Sequence, residues 1–397
     1  MTEMFEGSFT QQEPIPEAGI AAAERVLRSG RLHRYNTAPG ETSEAELLEA
    51  EFARAIGLDH ALAVASGGQA MIIALRAVGV QPGDRVLTNA FTLAPVPGAI
   101  AAVGATPVYL GVTEGLALDL DDLAAKADRG SVLLLSHMRG HLCDMDRLMA
   151  ICAAAGIMVV EDCAHTMGAA WNGRASGTFG AVACFSTQTY KHLNSGEGGF
   201  IATDDAALAA RAILMSGSYM FHQRHGQAPA VEVFDELTYV TPNQSARMDN
   251  LRAAILRPQL ANLPRQCARW TERYRAVEAE IAGTPGLQVI DRPAAEDFVG
   301  SSIQFLLPGW DAQKIEAVLA RCAARGVELK WFGGAQPTGF TSRYDDWRYA
   351  QAEPLPDTDR ILRGLLDMRL PLTFSLADCA LIGRIIRAEV AAVYQQG

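Results

Sequence analysis

An α/β fold with a mixed, mainly parallel sheet, followed by a smaller α+β unit, is the architecture this sequence predicts. Two patterns carry the prediction. From about residue 61 to residue 216, short apolar runs alternate with helical stretches, the signature of strands joined by crossover helices. A long helical pattern from Ala246 to about Ile281 then ends that alternation and leads into further strands and helices. At 397 residues the chain is long enough for two sizeable cores. The expected division is 1–250 for the large unit, N-terminal segment included, and 251–397 for the small one, joined by the long helix.

Residues 16–29, PEAGIAAAERVLRS, read as a helix with Ile20, Ala23, Val26 and Leu27 as its apolar stripe and Gly30 as its stop. RLHRYNTAPGET is a loop. Ser43 caps the next helix, with Glu46 completing a capping box, and that helix runs to about Ile56. ALAVA is a short buried strand. Ser66-Gly67-Gly68-Gln69 is a glycine turn entering a helix from Ala70 to about Val78. A strand, a glycine turn and a helix start make an anion site, because free N–H groups and the helix dipole face one point.

RVLTN, TPVYL and SVLLLS are strands, with PVPGAIAAVG helical between the first two. HMRGHLCD is a loop, and the helix opened by Asp144 runs to about Ala155. The next strand ends in Glu161-Asp162; AVACFS and GGFIAT follow as strands and DDAALAARAILMS as a helix. From Gly217 to Thr241 the pattern dissolves into a long irregular segment suited to covering a neighbour's active site. In the last third LQVID and SSIQFLLP read as strands. Helices are expected at Ala312 to Arg325, at Asp357 to Leu366, and from about Leu376.

The net charge of −11 argues against a nucleic-acid surface. Seven scattered cysteines without a CxxC pair suit reduced thiols, and the N-terminus shows no signal-peptide pattern, so a cytoplasmic protein is expected. No apolar run reaches the length of a membrane span. His137, His141 and Cys143 share a loop broken by Gly140, where an H-x3-H spacing does not align two ligands. His222 and His225 lie in the irregular segment, and no metal site is expected.

The chemistry gathers at two stretches, TQTYKHLNSGEGGF (Thr187 to Phe200) and VVEDCAHTMG (Val159 to Gly168). The chain has four lysines, and Lys126 and Lys314 sit in charged helical surroundings. Lys191 instead follows a buried strand and precedes a glycine-rich loop. A partly dehydrated lysine loses preference for its protonated form and becomes an amine nucleophile toward an aldehyde. Asp162, at the end of a buried strand, needs a partner. The protonated ring nitrogen of pyridoxal 5′-phosphate is a suitable one, since a carboxylate there keeps the ring an electron sink.

At these residues the sequence resembles the DegT/DnrJ/StrS-type aminotransferases, a pyridoxal-phosphate-dependent family of fold-type I. The matching blocks are SGRLHRY, ASGGQAMIIAL, PGDRVLTNAFT, GATPVYL, VVEDCAHTMGA, CFSTQTYKHLNSGEGGF and NQSARMDNLRAA, in the family's order and spacing. The lysine block with GEGG is the most specific. The resemblance implies an aspartate-aminotransferase-like large domain and a smaller C-terminal one. It implies that Lys191 bonds the cofactor, that Asp162 holds the ring nitrogen and that His165 meets the phenolic oxygen. Ser186, Gly68 and Gln69 are then the phosphate ligands, although the family usually has Gly-Thr where Gly68-Gln69 stands. Phe91 is the ring-stacking candidate. Asn243 is expected to cross to the partner's phosphate in a homodimer with shared active sites. Arg34, Tyr35, His141 and Lys330 are substrate-contact candidates, and Lys330 and Arg369 are candidate ligands for a substrate anion.

The implied reaction is transamination from glutamate or glutamine to a keto acceptor, a nucleotide-linked keto-sugar or keto-cyclitol in the family's usual case. Gln69 and KWFGG (Lys330 to Gly334) depart from that case, so a non-sugar acceptor stays open. A dehydratase of the same family is the nearest alternative, but those dehydratases replace the lysine with histidine. A protein that binds the cofactor without turnover fits an intact Lys191 and Asp162 poorly. A nicotinamide-dependent oxidoreductase lacks its GxGxxG here.

Overall fold

Seven strands form the central sheet in the computed structural model of the chain, which describes residues 3–395. They are β1 (His60–Val64), β2 (Arg85–Asn89), β3 (Thr106–Leu110), β4 (Val132–Ser136), β5 (Met158–Asp162), β6 (Val182–Ser186) and β7 (Gly199–Thr203). Their spatial order is β1-β7-β6-β5-β4-β2-β3. β7 runs antiparallel to both neighbours, and the remaining pairs are parallel. Every residue of β4 and β6 is buried, as expected of strands covered on both faces. The parallel direction brings the last residues of four strands, Asn89, Ser136, Asp162 and Ser186, to one end of the sheet. Ligands of open α/β sheets bind at that end.

A second core surrounds an antiparallel sheet of Gln288–Val289, Ser302–Leu306, Leu365–Arg369 and Lys330–Trp331, in that spatial order. The helix Asn250–Ile281 links the two cores. Leu256, Leu260 and Leu263 in its first half pack with the large sheet's helices, and Tyr274, Val277 and Ile281 enter the second core. Phe5 and Phe9 also belong to the second core, with ring centroids 4.8 and 5.0 Å from Phe374. The segment holding Phe5 and Phe9 therefore packs on the C-terminal side.

Several local expectations are corrected. The first helix spans Glu17–Ser29 as read, but it buries Gly19, Ala22 and Val26, while Ile20 and Leu27 are exposed. Small residues decide the phase: a Cβ at Gly19 would lie 3.3 Å from the Ile255 carbonyl oxygen, so the two helices approach backbone to backbone. Ser43 Oγ accepts from the Glu46 N–H at 3.1 Å, which is half of the capping box. The helix expected to reach Leu366 stops at Arg363, and Leu365–Arg369 is the inner strand of the second sheet, paired on both sides. Residues 217–241 contain three short helical turns and expose Tyr219, Met220, Tyr239 and Val240. Among the described residues, no helix is long and apolar enough to cross a membrane.

Candidate active site

The strand ends set the floor of the site. Asp162 is 7% exposed. Its Oδ2 accepts from Ser136 Oγ at 3.0 Å, and its Oδ1 from the Ala164 N–H at 3.1 Å. Thr92 Oγ1 donates to Ser136 Oγ at 2.9 Å, which fixes the hydroxyl that orients the carboxylate. Burial raises the Asp162 carboxyl above its ordinary range, while nearby Lys191 works the other way. A buried carboxylate with only neutral hydrogen-bond donors leaves room for a cationic partner. Its neighbour Glu161 faces the other way. It accepts from the N–H groups of Gly177, Phe179 and Gly180 and lies 3.0 Å from His137 Nε2, so it anchors the loop between β5 and β6.

Lys191 Nζ lies 2.7 Å from His165 Nε2. Burial first, and then the guanidinium of Arg139, push the Lys191 amine down to about 7. Burial and the Lys191 charge hold His165 well below its ordinary value. Two basic groups thus share one contact with little charge between them, and the lysine is ready as a nucleophile.

The glycine turn closes one wall. Ser66 caps the helix Gly67–Ala77, its Oγ accepting from the Gln69 N–H at 3.1 Å. A Cβ at Gly67 would sit 2.8 Å from Ser186 Cβ, so only glycine lets the helix start come this close to the end of β6. The first amides of the helix and the Ser186 hydroxyl therefore share one wall. A cavity of about 460 Å³ opens here, lined by Gly67, Gly68, His165, Ser186 and Lys191 and also by Arg139 and Arg369. A narrower pocket of about 80 Å³ continues to Ser136, Met138 and Asp162.

The structure brings Gly68, Asp162, His165, Ser186 and Lys191 together around these pockets. Gln69 does not line either cavity; its N–H is already taken by Ser66. Phe91 is 1% exposed and packs edge-on against Phe332 at 5.2 Å, inside the core. Leu93 lines the cavity in its place. Asn243 is exposed, its Oδ1 accepting from the Ser245 N–H at 2.9 Å, and it lines neither cavity.

The substrate-contact candidates lie elsewhere. Arg34 is 1% exposed and forms a two-pronged ion pair with Glu49 at 2.8 and 2.7 Å, so its charge is spent on pinning its turn to the helix Glu44–Ile56. Tyr35 Oη lies 2.7 Å from His225 Nε2 in the same buried network. His141 is buried 2.8 Å from Gln304 Oε1. Lys330 Nζ sits 3.8 Å from Asp367 and outside the cavity lining, whereas Arg369 lines it.

Arg139, Tyr190, Leu93 and Trp347 line the cavity without having been singled out from sequence. The one local signal was Arg139, inside the HMRGH loop already noted for its histidines. It adopts φ 56°, a left-handed conformation uncommon for a residue with a side chain.

This donor set fits pyridoxal phosphate. It combines an amine of lowered pKa, a buried carboxylate lacking a cation, and a helix N-terminus beside a serine hydroxyl, all around one cavity. The model of the DegT/DnrJ/EryC1/StrS aminotransferase family matches residues 15–387. The chain is 36% identical over 275 residues to a dTDP-3-amino-3,4,6-trideoxy-alpha-D-glucose transaminase of Streptomyces venezuelae, covering 67% of this chain and 66% of that protein. It is 33% identical over 317 residues to a UDP-N-acetyl-3-dehydro-alpha-D-glucosamine 3-aminotransferase of Acidithiobacillus ferrooxidans, covering 77% and 81%. The crystal structure of an aminotransferase, TlmJ, from Streptoalloteichus hindustanus superposes with a TM-score of 0.82 at 25% identity, covering 98% of this chain and all of that one. With Lys191 and Asp162 set around one cavity as that chemistry requires, the chain belongs to the DegT/DnrJ/EryC1/StrS family of pyridoxal-phosphate-dependent aminotransferases.

Proposed function

We propose that the protein transfers an amino group from glutamate or glutamine to the ketone of a nucleotide-linked keto-sugar or keto-cyclitol. The observation that carries the reaction is the placement of the Lys191 amine and the Asp162 carboxylate on one continuous cavity bounded by Gly68 and Ser186. The acceptor class is supported by the sugar-nucleotide transaminases among the relatives. Bound pyridoxal phosphate supplies an electron sink for the carbanion left when the donor α-proton departs.

The chain's own residues do the rest. Lys191 would hold the cofactor through its amine and, once freed, would serve as the base and then the acid for the donor α-proton. Its lowered pKa suits both tasks near neutral pH. Asp162, fixed by Ser136 and the Ala164 N–H, holds the proton on the ring nitrogen. Ser186 and the amides at Gly67 and Gly68 hold the phosphate. His165, uncharged and in contact with Lys191, bonds the phenolic oxygen. Leu93, which lines both pockets, would face the ring where an aromatic was expected. Asn243, exposed on its own chain beside a segment with exposed Tyr239 and Val240, reaches the partner's phosphate in a homodimer.

Absorbance spectra of the purified protein, with and without glutamate or glutamine and beside Lys191→Ala, test this reading. A yellow band that falls on adding donor establishes the first half-reaction, after which nucleotide-linked keto-sugars are screened for restoring it. A wild-type protein that stays colourless with pyridoxal phosphate refutes the cofactor assignment. A charged enzyme that no keto-sugar or keto-cyclitol discharges refutes the acceptor class.

A further inference from the structure

Two guanidinium groups enter the cavity beside Lys191, and the protein neutralises neither fully. Arg139 is 6% exposed and its Nε has no hydrogen-bond partner. Its Nη2 lies 2.7 Å from Asp367 Oδ2, an ion-pair distance, yet neither atom is aligned for a hydrogen bond. Asp367 is fully buried and shared. Lys330 Nζ is 3.8 Å from the same oxygen, and Gln304 Nε2 donates to the other oxygen at 2.8 Å. One carboxylate therefore faces both Arg139 and Lys330. Among the described residues Arg369 forms no ion pair. Its guanidinium carbon lies 3.7 Å from the ring centroid of Tyr190 and 4.9 Å from that of Phe340, which orient it and shield it from water.

Incompletely neutralised cations lining a cavity are unfavourable unless an anion joins them. Arg139 also keeps its left-handed backbone, a conformation retained where the surroundings impose it. Both arginines stand close enough to Lys191 to disfavour its charge. An anion held there sits beside the reacting carbon. The diphosphate of a nucleotide-linked sugar is several bonds from its ketone, whereas the carboxylate of an amino or oxo acid is attached to the reacting carbon. Its two oxygens also match the guanidinium fork.

We propose that Arg139 and Arg369 form a clamp for the carboxylate of a substrate that reacts at Lys191. Lys330 stands behind Asp367 and does not touch that substrate. The inference rests on the transamination reading. The carboxylate belongs either to the amino-acid donor or to an oxo-acid acceptor, and the two sources separate experimentally.

Calorimetric titration with glutarate, which has carboxylates but no amino or keto group, tests the clamp on the cofactor-loaded protein and again on the unloaded chain. Saturable binding is expected, weakened about tenfold to a hundredfold in Arg369→Gln, with neutral glutaramide failing to bind. Arg139→Gln is expected to act the same way, and Arg369→Gln keeps the test open if loss of the Asp367 partner impairs folding. Half-reactions then assign the source. A glutamate half-saturation raised at least about tenfold in Arg369→Gln, with maximal rate less affected, assigns the clamp to the donor. The same rise for 2-oxoglutarate or pyruvate discharging the aminated enzyme, with glutamate unchanged, assigns it to the acceptor. Absent glutarate binding, equal binding of glutaramide, or unchanged affinity in Arg369→Gln overturns the clamp. A chain that takes up no pyridoxal phosphate fails the transamination reading instead. The unloaded titration still decides the clamp.

Discussion

Raising the pH over the cofactor-free chain is expected to convert Lys191 from ammonium to amine with a midpoint near 7. Burial is the first cause and the Arg139 guanidinium the second, with Asp162 opposing both. A lysine at its ordinary 10.5 is amine in roughly 0.03% of molecules at pH 7; at about 7 it is amine in roughly half, a gain of about three orders of magnitude in nucleophile. Competitive acetylation of the cofactor-free chain, read by peptide mass spectrometry with Lys314 as the internal standard, measures this. Lys191 reactivity is expected to level off above about pH 8. Reactivity still climbing tenfold per unit past about pH 9 would refute the argument. The sign of the linked stability follows. Between about 7 and 10.5 the folded chain holds fewer protons on Lys191 than the unfolded chain does. Lys191 therefore destabilises most at and below pH 7, and its cost fades toward 10.5. The full drop corresponds to about 5 kcal/mol, which partial solvent access reduces to about 2–3 kcal/mol. Lys191→Met is expected to raise the Tm of the cofactor-free chain more at pH 6 than at pH 10, and the opposite order contradicts the burial.

Asp162→Asn is expected to keep the cofactor yet slow its conversion by glutamate about a hundredfold or more, read in single-turnover absorbance; an unchanged rate removes Asp162 from the chemistry. Arg34→Ala breaks a fully buried ion pair and is expected to cost about 3–5 kcal/mol in denaturant unfolding without changing the glutamate half-saturation. A changed half-saturation with intact stability would return Arg34 to the substrate side. Gly67→Ala places a methyl 2.8 Å from Ser186 Cβ and is expected to weaken cofactor retention by about 1–3 kcal/mol of overpacking, measured as the Kd for pyridoxal phosphate. An unchanged Kd would show that the wall at Gly67 does not hold the phosphate.

The sequence by itself determined the alternation of strands and crossover helices, and with it the sheet end where Ser136, Asp162 and Ser186 gather. Strand ends are local events, legible from short apolar runs that stop at polar residues, and parallel pairing then brings them together. Lys191 and Asp162 were legible for the same reason: a charged group at the end of a buried run stands out from its surroundings. What only the tertiary structure decided depends on where a side chain points once distant segments pack. Phe91 and Leu93 are two residues apart and both apolar, and only the presence of Phe332 on one side shows which of them enters the core. Arg34 meets Glu49 across a loop and becomes a structural pair, a choice no local pattern encodes. Leu365 and Leu366 read as the tail of a helix because the strand character of Leu365–Arg369 comes from partners on both sides, Ser302–Leu306 and Lys330–Trp331. Arg139 and Arg369 lie 230 positions apart in the chain. Their meeting beside Lys191 is set by the packing of the small sheet on the large one, and a single sequence carries no mark of it.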